Sequence, residues 1–474
     1  MIFLSYLFLF LTAILICTAY YLTFIMGSAN FYQFIYMVMH SVSAGGTLPT
    51  VVKTVIPCIW LLLFLLVLFF ILNKFIFLKQ KRKLLFPILL LVLSFLLVLR
   101  IVKFDKYLIN SFSKTDIYDK YYVNTNDVKI TFPEEKRNVI IIYLESMESS
   151  LFSKENGGAF NKSRIPELEK IALNNTNFSP TNKLGGAYTL DSTGCTIFSL
   201  VTSNSATPTY NRLFYSYGEK NPYMRSVKSL GNVLKENGYN LELMQGSSVK
   251  FSATDYFLKE NGDFILFDDN TARERGLVPK DYSAWWGIED NKLLEFSKDE
   301  LLNLSKKDEP FAFILFTTDT HFPNGYLDET CDEPFNDHLS NSYACSSKMV
   351  SKYLDWLKEQ EFYDNTTIFL MGDHQIMQDS YYKNNKHFER MNYNAIINSV
   401  ASGNTKNRKY SQFDMYPTIL ASMGATIEGN RIGFGVNLFS DEKTMIELLG
   451  REKFDNELFK NSEYYKKNIL NEVK

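Results

Sequence analysis

Residues 138–145 read NVIIIYLE, a run of apolar residues that ends in a single acid. Three further segments have the same character: YNLELMQG at 239–246, FAFILFTT at 311–318 and TTIFLMGD at 366–373. Near-continuous apolar runs of this length are typical of strands that are covered on both faces, as in parallel sheets. The four segments therefore predict the central strands of one domain.

Amphipathic segments lie between these strands, and their apolar spacing predicts helices. The segment at 226–238 ends in Asn-Gly, which favours the end of a helix. Strands that alternate with helices indicate an α/β fold with a central, mainly parallel sheet flanked by helices. The predicted helices are IPELEKIAL (165–173), SVKSLGNVLKENG (226–238), KLLEFSKDELLNL (292–304), KMVSKYLDWLKEQ (348–360) and FDMYPTILASMG (413–424).

The first hundred residues contain three long apolar segments, at about 2–26, 55–78 and 84–102. Each is about long enough to cross the ~30 Å hydrocarbon core of a bilayer as a helix. A cleaved signal peptide is an alternative for the first segment, but this segment lacks a basic start and a clear cleavage site. Residues 1–103 are therefore predicted to form a membrane domain with about three transmembrane helices.

The basic cluster KQKRK at 79–83 separates the second and third apolar segments. The positive-inside rule places such a cluster in the cytoplasm, so everything after residue 103 is expected outside it. The following residues 104–136 are polar and predict a linker. Residues 137–440 hold the α/β domain, and the charged, amphipathic residues 441–474 predict a helical tail on its surface.

The overall charge of the chain is close to neutral. With 50 Lys and Arg against 52 Asp and Glu, the formal net charge is −2. Binding to nucleic acid depends on a basic surface, so this balance argues against it and we expect no nucleic-acid partner.

Acids and histidines follow three of the predicted strands: Glu145 after the first, His321 after the third, and Asp373 and His374 after the fourth. Any one of them could be a helix cap or a solvated strand end. In open parallel sheets, however, ligands bind at the carboxyl ends of the strands. Glu145, Asp373 and His374 predict a metal site, since mixed oxygen and nitrogen donors suit Zn²⁺ or Mn²⁺. Three protein ligands leave a position for a water or hydroxyl group that the metal activates.

Residues 185–200 read GGAYTLDSTGCTIFSL and contain several hydroxyl groups and one thiol. The apolar run from residue 196 onward is suited to begin a buried helix. A hydroxyl at a helix start lies near free backbone N–H groups and the positive end of the helix dipole, which suits attack on a phosphate. Thr196 is the best-placed candidate nucleophile, with Ser192 and Thr193 as alternatives. Thr196 could also serve only as an N-cap.

Two cysteines, Cys331 and Cys345, lie in one polar region of the predicted outer domain. A location outside the cytoplasm favours a disulfide between them over two free thiols.

These segments, in this order, resemble the membrane-bound phosphoglycerol transferases of the sulfatase-like branch of the alkaline phosphatase superfamily. That group includes the enzymes that modify periplasmic glucans and, more distantly, lipoteichoic acid synthase. The resemblance covers about residues 138–435. It is carried by IIIYLESMES, STGCTIFSLVTS, LMQGSSVKFSATDYFLKENG, WWGIEDNKLLEF, FTTDTHFPNGYLDETC, LMGDHQIM and FDMYPTILASMG.

The resemblance implies one divalent metal, usually Mn²⁺ with Mg²⁺ or Zn²⁺ as alternatives, held by Glu145, Thr196, Asp373 and His374. It makes Thr196 the nucleophile that takes phosphoglycerol from phosphatidylglycerol, releases diacylglycerol and passes the group to a glycan hydroxyl of the cell envelope. It also implies the inner membrane of a bacterium, with the α/β domain on the periplasmic side. Cys195 is not followed by the Pro and Arg that true sulfatases need to form formylglycine, which argues against that use of it.

The resemblance also implies roles for residues around this metal site. His321 would bind substrate and donate a proton to the leaving group, and Trp286 would either line the pocket or pack in the core. Lys250 stands where the family has a basic residue that faces the phosphoglycerol group. An arginine is common there, so the lysine lacks its two-pronged hydrogen bonding. Cysteines of the glucan-modifying enzymes match Cys331 and Cys345, which favours the disulfide.

Three alternatives stay open at the level of the sequence: a phosphoethanolamine transferase, a sulfatase-like phosphodiesterase, and a membrane-anchored protein with a vestigial site. The first group usually has more membrane helices and more disulfides, and an intact metal-binding set argues against the last. The sequence does not identify the acceptor. Lipoteichoic acid synthases typically carry five membrane helices, so three predicted helices favour glycan modification over polymerisation.

Overall fold

The structure is a computed structural model that describes residues 2–25, 31, 34–35, 48–75, 84–192, 226–250, 254–321, 324–377, 379–382 and 388–469. The chain divides into two compact units. The first consists mostly of the helices that precede Ser113, and the second of most residues from Ser113 onward.

In the first unit, two of the described helices contain segments that are long and apolar enough to cross a membrane, Ile2–Phe24 and Ile56–Phe75. Trp60 on the second is 69% exposed, as expected for a helix surrounded by lipid. The third predicted span forms a helix of 17 residues, which meets the same criterion only jointly with the next helix, at a bend of 64°. By length and composition, the described residues therefore contain two candidate spans, or three if this bent pair counts as one. The helices are α1 (Ile2–Tyr20, continued by a π-helical turn at Tyr21–Ile25), α2 (Leu48–Phe75), α3 (Leu85–Ile101) and α4 (Phe104–Phe112).

The second unit is built on a central sheet. Its strands and those of two small neighbouring pairs are β1 (Ile130–Thr131), β2 (Asn138–Leu144), β3 (Gly186–Ala187), β4 (Asn240–Gln245), β5 (Ile265–Phe267), β6 (Phe311–Phe316), β7 (Thr366–Gly372), β8 (Asn392–Ile397), β9 (Thr426–Ile427), β10 (Arg431–Ile432) and β11 (Gly435–Val436). The sheet order is β3-β8-β7-β2-β6-β4-β5, while β1 pairs with β9 and β10 with β11. Strands β7, β2, β6, β4 and β5 are parallel, and β8 runs antiparallel to β7 and β3. The predicted α/β fold with a central, mainly parallel sheet is confirmed.

The register of the sheet brings the carboxyl ends of its central strands to one edge. Leu144 of β2 lies opposite Gly372 of β7. Phe316 of β6 lies opposite both Tyr143 of β2 and Gln245 of β4. Residues that directly follow these strands are therefore neighbours, as the rule for open parallel sheets requires.

Helices cover the sheet, since every residue of β2, β6, β7 and β8 is buried. Helix α7 shows how local sequence sets their limits: the side chain of Ser229 caps its first turn, and Gly238 follows its end with φ +83°, as the Asn-Gly signal predicts. The helices of this unit are α5 (Ile117–Tyr121), α6 (Pro166–Asn174), α7 (Leu230–Glu236), α8 (Thr254–Glu260), α9 (Asp269–Glu274), α10 (Asp290–Ser305), α11 (His338–Lys358), α12 (Met415–Ser422), α13 (Met445–Leu449) and α14 (Arg451–Leu458).

Residues 104–136 and 441–469 contribute more side chains to the core than their polar composition indicates. The expected linker contains α4, α5 and β1, and Tyr118 of α5 is buried in the main core. From the C-terminal residues, Phe454 and Ile469 are buried in the same core. The C-terminal helices therefore bury an apolar side against this core while many of their charged residues stay exposed. Their apolar residues recur at helical spacing and turn one side of each helix inward.

Glu242 is a buried acid in the middle of β4, and it is 3% exposed. Its carboxyl group interacts with that of Glu300 on α10, which also binds Arg275 at 2.6 Å. Burial, repulsion by Glu300 and the hydrogen bond to Glu300 raise the pKa of Glu242 to about 8. The folded protein therefore keeps a proton that the unfolded chain releases at lower pH.

Because of this proton, we expect Glu242 to weaken stability as pH rises from about 5 to about 8. The Glu242→Gln side chain can form hydrogen bonds like those of the protonated acid, but it does not titrate. The quantity to compare is the melting temperature of the variant minus that of wild type. This difference should be larger at about pH 8.5 than at about pH 5.5 by about 2–4 °C, the effect of ~1 kcal/mol in a large domain. Differential scanning fluorimetry of the full chain in detergent measures this, with the exposed Glu359→Gln as control. An equal difference at both pH values would contradict the expectation.

Candidate active site

Three ionisable side chains meet at the carboxyl edge of the sheet. Glu145 directly follows β2, and Asp373 and His374 directly follow β7. One ligand atom from each lies within 4.8 Å of the other two. The His374 Nε2 atom is 3.4 Å from Glu145 Oε1 and 3.5 Å from Asp373 Oδ2. The structure thus brings together the three residues that the strand ends predict, here called the acidic site.

The ring of His374 is oriented by its other nitrogen. His374 Nδ1 lies 2.8 Å from the carbonyl oxygen of Gln375. A carbonyl oxygen only accepts hydrogen bonds, so Nδ1 carries the hydrogen. In the neutral ring, this leaves the lone pair of Nε2 facing two carboxylates. Such an arrangement needs either a proton or a cation between them, and it is the orientation that metal-binding histidines adopt.

Burial makes the charge of this site unfavourable in the absence of a cation. Glu145 is 8% exposed and His374 is 5% exposed. Burial and repulsion by Glu145 raise the pKa of Asp373 to about 7, although His374 opposes the shift. Burial lowers the pKa of His374, but the negative charges of Asp373 and Glu145 outweigh it and the net shift is upward. The site therefore retains protons that a divalent cation would replace, and two carboxylates with one imidazole fit such a cation.

Backbone hydrogen bonds fix the carboxylate of Asp373. Its Oδ1 atom accepts from the backbone N–H groups of Ser146 at 2.8 Å and His374 at 2.6 Å. Ser146 adopts φ +51°, a conformation that is unusual for a residue with a side chain. Its hydroxyl donates to Glu145 Oε1 at 2.6 Å. The turn after β2 thus orients both acids of the site.

The residues after β6 join this site through Glu145. The hydroxyl of Thr317 accepts from the N–H of Glu145 at 3.1 Å, and the hydroxyl of Thr320 donates to the carbonyl oxygen of Glu145 at 2.5 Å. The next residue is His321, whose ring packs against the ring of Trp286 with centroids 4.4 Å apart. The structure therefore places Trp286 in contact with His321 and connects the His321 segment to Glu145.

Several residues that hold these segments are absent from the sequence prediction. Asp290, 1% exposed, accepts hydrogen bonds from the N–H groups of Thr318 at 2.6 Å and Asp319 at 3.2 Å. Asn392 and Gln412 both donate to the carbonyl oxygen of Asp373, at 3.2 and 2.7 Å. Asp290 lies in the WWGIEDNKLLEF segment, but its partners and those of Asn392 and Gln412 are backbone atoms far away in sequence, so local sequence does not indicate these supporting roles.

Glu148 also follows β2, but it takes part in a separate ion pair. It is fully buried and its carboxylate binds the guanidinium of Arg390 and the N–H of Ile376. Ile376 lies two residues beyond His374, so this pair holds the segment that leaves the acidic site. Truncating one partner of such a pair leaves the other charge buried and uncompensated.

The remaining predicted residues are placed as follows. Lys250 is exposed after β4, where its N–H binds the hydroxyl of Ser248 at 3.3 Å. Thr196, with Thr193 and Cys195, lies outside the described residues. Ser192, the last described residue of the 185–200 stretch before that gap, is fully buried.

Cys331 and Cys345 form a disulfide in the structure, with Cα atoms 5.5 Å apart. Cys345 belongs to α11, while Cys331 belongs to the loop that follows His321. The bond therefore attaches this loop to a long, buried helix.

Comparison with known proteins gives a family match and several relatives. Residues 137–425 match the Sulfatase family. Phosphoglycerol transferase I of Escherichia coli is 28% identical over 326 residues, which are 66% of this chain and 40% of that protein. Phosphoglycerol transferase I of Xanthomonas campestris pv. campestris is 27% identical over 252 residues, 52% of this chain and 34% of that protein. The chain thus spans less than half of the length of these curated relatives.

Two solved structures share the fold at low sequence identity. The lipoteichoic acid synthase LtaP from Listeria monocytogenes aligns with a TM-score of 0.51 and 18% identity, over 68% of this chain and 81% of that one. The lipooligosaccharide phosphoethanolamine transferase EptA from Neisseria meningitidis aligns with a TM-score of 0.50 and 14% identity, over 86% of this chain and 81% of that one. At these identities the likeness concerns the fold alone.

We expect the acidic site to bind one divalent cation. His374→Ala should weaken binding of Mn²⁺ by at least about 100-fold, because loss of even an outer hydrogen-bonding partner weakens such sites by about 10–100-fold. Isothermal titration of the full chain in detergent measures the affinity. Glu155→Gln removes one charge from an exposed position and should leave it unchanged. If His374→Ala bound Mn²⁺ with wild-type affinity, the acidic site would not be the place where the cation binds.

Proposed function

The chain belongs to the sulfatase family, and from this premise we propose that it is a membrane-bound phosphoglycerol transferase. Relatives named phosphoglycerol transferase I and helices of membrane-spanning length support transfer from a lipid. The observation that carries the proposal is the convergence of Glu145, Asp373 and His374 at the sheet edge. A phosphoryl group is anionic, and its transfer requires positive charge at the reacting centre.

We assign the proposed cation to Mn²⁺, with Mg²⁺ or Zn²⁺ as alternatives, bound by Glu145, Asp373, His374 and the hydroxyl of Thr196. When bound, it would lower the pKa of that hydroxyl and withdraw charge from the phosphate. The donor set of the acidic site, two oxygen ligands and one nitrogen ligand, supports a cation of this class.

In the first proposed step, Thr196 Oγ attacks the phosphorus of phosphatidylglycerol. A bond forms between Thr196 Oγ and phosphorus, and the bond from phosphorus to the diacylglycerol oxygen breaks. The hydroxyl proton of Thr196 leaves to solvent, and His321 donates a proton to the departing oxygen. In the second step a glycan hydroxyl attacks the same phosphorus and gives its proton to His321. The bond to Thr196 breaks, and the Thr196 oxygen takes up a proton from solvent.

The surroundings of His321 support its role as proton donor. The ring of Trp286 lies against the imidazole, and Asp290 holds the backbone two and three residues before it. These contacts restrict the orientation of the ring, which proton transfer requires. The exposed Lys250 would attract the phosphate as a point charge.

A lipid donor and an envelope glycan acceptor suit the proposed location. The basic cluster at 79–83 argues for a multi-pass protein in the inner membrane of a bacterium, with the α/β domain on the periplasmic side. Phosphoethanolamine transfer and hydrolysis by water would use the same acidic site. The three activities differ in the head group of the lipid donor and in the acceptor, which is either a glycan hydroxyl or water.

The decisive experiment supplies the full chain in nanodiscs with Mn²⁺ and lipids that carry a fluorescent acyl chain. Release of diacylglycerol from phosphatidylglycerol is expected, and it should increase when envelope glycan is added. Release of diacylglycerol only from phosphatidylethanolamine would show that this lipid is the donor, in place of phosphatidylglycerol. Release of free glycerol phosphate with no transfer to glycan would instead identify a phosphodiesterase.

Thr196→Ala should reduce diacylglycerol release by at least about 1,000-fold, because no other group of the proposal forms the covalent bond to phosphorus. Thr193→Ala is the matched control, with the same change three residues earlier, and it should remain active. Mass spectrometry of wild type after a short exposure to lipid should find phosphoglycerol on Thr196. Equal activity of Thr196→Ala and wild type would refute the assignment of Thr196 as the nucleophile.

His321→Gln should slow transfer from phosphatidylglycerol by about 100-fold or more, since an alkoxide leaves poorly without a proton. With a nitrophenyl phosphoglycerol ester, the leaving group is stable as an anion, so the same variant should lose much less. Comparing the two rates for wild type and variant isolates the proton donation. An equal loss with both substrates would show that His321 acts in binding only.

A further inference from the structure

Helix α14 contacts residues Thr189–Ser192, which follow β3 and lead to the proposed nucleophile. Arg451, its first residue, donates from Nη2 to the carbonyl oxygen of Thr189 at 2.8 Å. Asp455, one turn later, accepts from the N–H of Asp191 at Oδ2, 3.0 Å, and from the N–H of Ser192 at Oδ1, 2.9 Å. Three backbone groups within four residues are thus bound by two side chains of one helix.

The opposite side of the same segment is bound to the acidic site. Ala187 pairs with Asn392 of β8. The hydroxyl of Thr189 donates to the side-chain oxygen of Asn392 at 2.7 Å, and the amide of Asn392 donates to the carbonyl oxygen of Asp373 at 3.2 Å. A continuous series of hydrogen bonds therefore runs from Arg451 through Thr189 and Asn392 to Asp373.

Helix α14 is itself held firmly. Phe454 is fully buried, and its ring contacts those of Phe413 and Phe434 with centroids 5.9 and 5.4 Å apart. Phe413 directly follows Gln412, which also binds the carbonyl oxygen of Asp373. The helix is therefore fixed to the same element that holds the acidic site. A mobile surface tail could not transmit position in this way.

From these contacts we propose that Asp455 and Arg451 are positioning residues for the transfer reaction. They hold the backbone of Thr189–Ser192 at a set distance from Asp373. The inference rests on the proposed function, in which Thr196, four residues after Ser192, is the nucleophile. Reactions between bound groups are sensitive to such placement, because small displacements remove the reacting atoms from an attack geometry. Neither side chain is assigned to contact with the substrate.

The test uses Asp455→Asn in the full chain, since an amide keeps the shape but can accept only one of the two N–H groups in place. Glu452→Gln is the matched control, because it removes one negative charge from an exposed position of the same helix. Two quantities are measured for each variant. The first is hydrogen–deuterium exchange of the peptide that covers residues 185–192. The second is the rate at which phosphoglycerol is transferred to the enzyme in a single turnover with Mn²⁺.

Asp455→Asn should raise exchange in this peptide by about tenfold and lower the single-turnover rate by about 10–100-fold, the effect expected for one lost charge-assisted hydrogen bond. Its KM for phosphatidylglycerol should remain close to that of Glu452→Gln, while its melting temperature should fall by about 2–4 °C for each kcal/mol that the lost hydrogen bond contributed. Unchanged exchange, or raised exchange with a wild-type rate, overturns the inference.

The two readouts also separate this inference from the proposed function. If wild type releases no diacylglycerol from phosphatidylglycerol, the proposed function fails, while the exchange measurement still decides whether α14 holds the segment. If wild type is active and Asp455→Asn reacts equally fast, the function stands and the positioning role fails.

Discussion

The parallel register of β2 and β7 is the constraint on which the rest of the structure depends. Leu144 lies opposite Gly372, so the next residues, Glu145 and Asp373, meet at the strand ends. Two neighbouring carboxylates with little access to water destabilise the fold unless protons or a cation compensate their charge. This is why the pKa of Asp373 is raised to about 7: burial and the charge of Glu145 both disfavour its ionised form. The strands that build the hydrophobic core therefore also create the negative charge at which a cation can bind.

The orientation of these charged groups depends on distant parts of the second unit. Buried polar groups need hydrogen-bond partners, and the partners of Asp373 come from the turn after β2, from β8 through Asn392, and from Gln412. Each partner is supported by its own packing, so a change in any one element alters the geometry of the site. Arg451 and Asp455 extend this pattern of support, because these residues late in the chain bind the backbone of the segment before Thr196.

The fold and the acidic site could be predicted from the sequence where their signal is local. Four apolar runs gave four strands of the sheet, and the acids after them gave Glu145 and Asp373. Strand β8 was missed because it reads NYNAII, and its asparagines are buried only through long-range bonds such as that of Asn394 to Gly185. Asp290 was missed as a support because its partner Thr318 is 28 residues away. The third membrane segment was apolar enough, but composition does not reveal that its helix ends after 17 residues and bends.

Under the proposed function, the acidic site must favour a glycan hydroxyl over water in the second step. Glu145 and His374 are 8% and 5% exposed, so bulk water has little access to the groups that would activate a nucleophile. A hydroxyl held beside the phosphorus by its sugar gains an effective concentration of about 10⁵ M or more, which exceeds that of any free water. Selection between transfer and hydrolysis then depends on how loops around the sheet edge hold the acceptor. One metal site can accordingly serve transferases and hydrolases alike, and the acceptor is decided by residues outside it.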